Sequence, residues 1–133
     1  MDDINKNLIQ SYILTTAKYD YTAYEKRILY RIIELMQELT EGKRLNQKYS
    51  VQTNIFGDMD IQMPVSAFLK DEKDMNYSIA KKSLNSKQIQ YEDDKVWKLF
   101  NLIERPVIDK KGYVTFRLHP IIASVFMDFS KGF

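Results

Sequence analysis

Hydrophobic spacing changes period along this chain, helical in its first two thirds and alternating near its end. Between Thr22 and Leu39, Tyr24, Ile28, Leu29, Ile32, Leu35, Met36 and Leu39 recur three and four residues apart, the stripe of an amphipathic helix. Thr22 with Glu25 three residues on is a capping box, each side chain answering a backbone amide that the helix start leaves unpaired. Gly42 supplies the stop. Lys26, Arg27, Arg31, Glu34 and Glu38 lie off the stripe, with Arg27 and Arg31 outside, so this is a scaffold helix with a solvated face. Upstream, residues 4–17 are mixed: Leu8, Ile9, Tyr12 and Ile13 fit a helical stripe, whereas Tyr12 to Thr16 equally suits a strand. The spacing predicts a short ordered segment there without fixing its type.

Beyond a basic loop at Lys43–Lys48 and a segment at Tyr49–Phe56, Gly57-Asp-Met-Asp60 marks a turn and Asp60–Pro64 a short strand stopped by proline. Val65–Leu69 follows as a helix of one to two turns, with Ser66 as its cap and Phe68 and Leu69 facing inward, then a loop of both charge signs at Lys70–Asp74. Capped by Asp74 or Asn76, the stretch Asn76–Lys87 puts Tyr77, Ala80 and Leu84 on one stripe, widened by Ile79 and Ser83, and turns Asn76, Ser78, Lys81, Lys82, Asn85 and Lys87 away from it. From Ile89 the period is two. Ile89–Tyr91 and Val96–Trp97 flank a hairpin turn at Glu92–Lys95, and Phe100–Ile108 continues as one strand, at a sheet edge because Pro106 has no amide to donate. Asp109-Lys-Lys-Gly112 is a turn with glycine placed for positive φ, and Tyr113–Leu118 alternates, with Val114, Phe116 and Leu118 to one side and Tyr113, Thr115 and Arg117 to the other. Pro120 opens a last amphipathic helix running to Phe129, with Gly132 as its stop. The expected class is α+β, a winged helix-turn-helix in which helices precede a C-terminal antiparallel β-hairpin wing.

Composition narrows the functions. The 133 residues are 44% hydrophobic and 29% charged, within the range of one globular domain. The absence of cysteine removes disulfides and thiolate chemistry and suits a cytoplasmic setting; no run is long and apolar enough for a membrane span, and Met1-Asp-Asp is unlike a signal peptide. A net charge of +2 implies no nucleic acid by itself, but its distribution does. Residues 76–87 hold three lysines and no acid, and the turn at 109–112 adds Lys110 and Lys111, with Arg105 and Arg117 behind. On a DNA reading Lys81, Lys82 and Lys87 neutralise phosphates, Asn76, Ser78 and Asn85 read base edges, and Lys110 and Lys111 hold the backbone beside the minor groove. The blander reading of the lysine helix is a solvated face. The competing functional reading is an interaction module in which Phe100, Tyr113, Thr115 and Arg117 pair with a second copy; a third is a transcriptional regulator on a palindrome.

Enzymatic readings fare badly. His119 is the sole histidine, so paired-histidine metal chemistry has no ligands, and the nine tyrosines lack an evident base or metal. Asp58/Asp60, Asp71/Glu72/Asp74 and Asp93/Asp94 lack calcium-loop spacing and read as solvated turns, and four glycines form no phosphate loop. The expectation is a non-enzyme without cofactor or metal.

Leu8-Ile-Gln-Ser-Tyr-Ile-Leu-Thr15 and Tyr24-Glu-Lys-Arg-Ile-Leu-Tyr30 resemble the opening of the RepB-like replication initiators of iteron-containing, theta-replicating plasmids. Gly112-Tyr-Val-Thr-Phe-Arg-Leu-His-Pro120 and Phe129-Ser-Lys-Gly-Phe133 are similar to that family's wing strand, following helix and domain exit. The resemblance covers nearly the whole chain but only the first of two winged-helix domains, which places the second beyond Phe133. It implies binding to repeated double-stranded origin DNA, homodimerisation through this same domain, and contact with host replication proteins.

Overall fold

The computed structural model describes residues 5–67, 69, 77–84 and 88–131. Helix α1 spans Lys6–Tyr19 and α2 spans Ala23–Thr40. The mixed signal upstream of Thr22 thus resolves as a full helix. Asn5 caps it, its Oδ1 accepting from the Asn7 amide at 2.9 Å, while the Asn5 amide donates to the Tyr91 hydroxyl at 3.0 Å. Ile9 and Ile13, one turn apart, are wholly buried, and this burial outweighs the strand preference of the segment. In α2 the capping box forms as read, Thr22 Oγ1 accepting from the Glu25 amide and Glu25 Oε1 from the Thr22 amide. Ile33 joins the buried stripe, whereas Leu39 at its end is exposed.

Strands β1 (Ser50–Thr53) and β2 (Met59–Pro64) lead through a 3-10 turn at Val65–Ala67 to α3 (Tyr77–Leu84). Then come β3 (Gln88–Glu92), β4 (Trp97–Asn101), β5 (Glu104–Ile108), β6 (Tyr113–Leu118) and α4 (Pro120–Lys131). The expected single strand over Phe100–Ile108 is two strands in two sheets. β4 pairs with β3 in a two-stranded ribbon, and β5 is the edge of a four-stranded antiparallel sheet ordered β1-β2-β6-β5. Leu102 and Ile103, both buried, form the corner between them. The hairpin with the lysine tip is therefore a pair of strands inside a larger sheet, and Pro106 does lie on its edge strand.

One apolar cluster joins the inward residues of β2 and β6 (Met59, Ile61, Met63, Val114, Phe116, Leu118) to α2 and α4, where Ile32, Met36, Ile122, Val125 and Phe126 are buried. The strict alternation along β2 and β6 leaves their other face open to solvent. Among the described residues, no helix is long and apolar enough to cross a membrane.

Candidate nucleic-acid interface

α3 buries Ala80 and Leu84, four residues apart, so Lys81 and Lys82 must face outward, and both are exposed. The 3-10 turn that precedes α3 in the chain is held at both its ends. The Val65 amide donates to the Gly112 carbonyl at 2.8 Å, and Arg31 Nε of α2 donates to the Ala67 carbonyl at 2.8 Å. The first bond ties this turn directly to the tip of the β5–β6 hairpin. Arg31, read from sequence as a purely outer residue, is a brace between two elements.

At that tip Asp109 Oδ1 accepts from the Lys111 and Tyr113 amides at 2.8 and 3.0 Å, and Gly112 takes φ +90° as its position in the turn required. Lys110 and Lys111 project into solvent from this closed turn. Ser78 lies in α3 by its backbone. Asn76, Asn85 and Lys87, also expected to contact DNA, fall outside the described residues.

Between α3 and β5 runs a groove of about 940 Å³. Lys81, Lys82 and Arg105 supply its cations, the cross-strand neighbours Gln88 and Asn101 its amides, and Leu84, Ile103, Pro106 and Ile108 its apolar floor; Glu104 is the one acid among the lining residues. Arg105 has the sole positive φ of any described non-glycine residue, +50°. Here β5 carries one residue more than β6, because Glu104 faces Arg117 and Val107 faces Thr115. Such a bulge bends the strand and re-aims its side chains; holding a non-glycine residue in this conformation costs about 1–3 kcal/mol.

Arg117 behaves otherwise. It was expected to back the basic tip, but its Nε donates to Asp60 Oδ1 at 2.8 Å and its Nη2 to Asp60 Oδ2 at 3.2 Å, with Asp58 at 3.9 Å from Nη1. The bidentate hydrogen bond holds the Asp60 carboxyl below its ordinary range and raises the guanidinium. So Asp60 sits in a strand and neutralises a cation across the ladder, where sequence suggested a solvated turn. Phe100, placed on the pairing face from sequence, is buried and stacks edge-on to His119 with ring centres 5.2 Å apart. The His119 ring has a local task, its Nδ1 accepting from the Ile121 amide at 3.1 Å at the start of α4. Asp93, in the β3–β4 turn, accepts from Tyr91 and the Lys95 and Val96 amides, which lowers its carboxyl.

Residues 7–133 match the family described as Initiator Replication protein, WH1. The chain belongs to that family. A crystal structure of the WH1 domain of MSBI1.176, a replication protein isolated from a multiple sclerosis patient, is similar to this initiator domain at a TM-score of 0.56 and 13% identity, covering 96% of each chain. At that identity the likeness is one of fold. No curated protein matches the chain. The resemblance drawn from the opening, the last strand and the final helix is thus upheld across nearly the whole length. The basic helix and the lysine tip are legible in the sequence; the corner at Leu102–Ile103 that brings Gln88, Asn101 and Arg105 around one groove has no local signature beyond the Arg105-Pro106 pair.

Proposed function

We propose that this initiator domain binds double-stranded origin DNA as a winged helix, with α3 set against the duplex and the β5–β6 tip as the wing. The observation that carries this reading is the groove between α3 and β5, where the exposed Lys81 and Lys82 stand with Arg105, while the β5–β6 hairpin that carries Arg105 ends in the exposed Lys110 and Lys111. Lys81 and Lys82 make phosphate contacts there, and Lys110 and Lys111 hold the backbone beside the minor groove. Base reading falls to Asn76, Ser78 and Asn85, with Lys87 as a further cation, and repeated origin sites are the natural target of the family. The role is one of binding rather than catalysis: the only histidine caps a helix, and burial pushes the Tyr21 phenol far above its ordinary range, so it stays neutral.

Replacing Lys81 and Lys82 together by alanine is expected to weaken duplex binding and to flatten the dependence of log affinity on log salt by about 2, near one unit per lost phosphate contact. Titrations of the double variant at several salt concentrations check this; an unchanged slope removes both lysines from the interface.

A second reading, homodimerisation, is favoured by a different surface. Val96, Trp97 and Leu99 of the β3–β4 ribbon are exposed apolar side chains, and β4 has no strand on its outer side among the described residues. On this reading a second copy covers that patch, away from the cationic groove, and contacts with host replication proteins and a following second domain belong to the assembled initiator.

A further inference from the structure

Every lysine and arginine near the groove can be asked whether a neighbour already satisfies it. Arg117 is held by Asp60 in a two-pronged hydrogen bond. Arg105, one strand away, is in no ion pair among the described residues, nor are Lys81 and Lys82. It lines the α3–β5 groove on one side and, on the other, the shallow concavity of the open sheet face beside Gln62 and Thr115. The Glu104 carboxylate, the acid nearest in sequence, stands opposite Arg117 in the ladder and adds to that arginine's stabilisation. The backbone meanwhile holds Arg105 at φ +50° immediately before a proline, a combination disfavoured on two counts. Asp60, already bound by Arg117, also feels the Arg105 charge but makes no direct ion pair with it, so a bulge that tolerates this strain aims a guanidinium without a hydrogen-bonded acid over a groove already carrying two lysines.

We propose that Arg105 is a phosphate-contacting residue that, with Lys81 and Lys82, grips one strand of a duplex's sugar–phosphate backbone in the groove between α3 and β5. This deepens the DNA reading and rests on it. The lining chemistry selects the occupant. Guanidinium and ammonium groups pair with phosphate oxygens, and the apolar floor of Leu84, Pro106 and Ile108 suits the sugar carbons. Among the described residues no aromatic side chain lines the groove, and the cations and apolar floor found there suit a sugar–phosphate backbone better than unstacked bases. A contact of this kind carries affinity and register but no base preference.

The test uses the 133-residue chain, a labelled duplex of arbitrary sequence, a single strand of equal length and a glutamate-rich peptide. Arg105→Gly is the informative variant because glycine accepts the positive φ, so the fold is retained and its thermal midpoint is unchanged or raised. Duplex affinity is expected to fall about tenfold, the loss of one charged hydrogen-bonded contact, with the salt slope shallower by about 1. Wild-type affinity in Arg105→Gly, alongside weakened binding in the Lys81/Lys82 double variant, overturns the role of Arg105 and leaves the duplex reading standing. A wild-type chain that ignores the duplex overturns both. Tighter binding of the single strand, or of the peptide, lost in Arg105→Gly, assigns the groove another occupant and overturns the proposal.

Discussion

Two arginines on neighbouring strands meet opposite fates. Arg117 spends its charge on Asp60, and Arg105 carries backbone strain beside an open groove. Both are an arginine in a strand to a sequence reader, and only the cross-strand register tells them apart: Asp60 stands opposite Arg117, and the bulge falls at Arg105. The Asp60–Arg117 pair also has a pH signature. Because the arginine lowers the folded-state carboxyl below its unfolded value, the pair stabilises the fold above the ordinary carboxylate range, and that contribution disappears as pH falls through the lowered value. Asp60→Asn is therefore expected to have a lower thermal midpoint than the parent at neutral pH. The gap should close in acid, where the parent's own carboxylate is protonated. Melting curves across that range check it, and a gap constant with pH refutes an ionic origin. Both side chains are partly exposed, so the effect is modest and shrinks with added salt.

At the scale of elements, the turn between β1 and β2 shows how local chemistry and packing combine. Asn54 Oδ1 accepts from the Phe56 and Asp58 amides at 2.9 and 3.1 Å, closing a turn that leaves Ile55 almost fully and Phe56 largely exposed. Gly57 follows at φ +87°, and a Cβ there would stand 3.3 Å from Pro120 at the start of α4. Gly57→Ala is expected to destabilise the fold by about 1–2 kcal/mol, from left-handed strain and from pressure on Pro120 together. Chemical denaturation measures it, and a neutral effect shows that α4 gives way freely. Elements with a strong local signal, such as α2 with its capping box and the Asp109–Gly112 turn, are where the sequence places them. The one segment left open and the one strand misread have a common cause. Residues 6–19 become a helix because Ile9 and Ile13 reach the core, and the strand expected over Phe100–Ile108 breaks because Leu102 and Ile103 do. Burial by distant partners decided both, and no window along the chain contains those partners.

For the whole molecule, the sheet divides the work. One face of β2 and β6 closes the core against α2 and α4, while the lysine helix meets Arg105 across the groove at the sheet's β5 edge. The ribbon β3–β4 forms its own sheet, packed on α1 through Ile89 and Tyr91, and carries the only tryptophan of the chain, Trp97, 57% exposed. On the dimer reading its emission is expected to shift to shorter wavelength as protein concentration rises, without DNA, in step with sedimentation. Emission that stays solvent-like while a dimer forms moves the interface off this ribbon. DNA binding and self-association then become separable: lysine variants of α3 should leave the concentration-dependent shift untouched.

By itself the sequence determined the helices with stripes and caps, the turns that glycine and aspartate close, the lysine-rich stretch and the family, because each is written in residues close together along the chain. Only the tertiary structure decided which cations remain unsatisfied and share a groove. Charge neutralisation and strand register are relations between residues far apart in sequence: Arg117 is 57 positions from the carboxylate it meets, and the groove joins Lys81 to Arg105 through a corner made by burial.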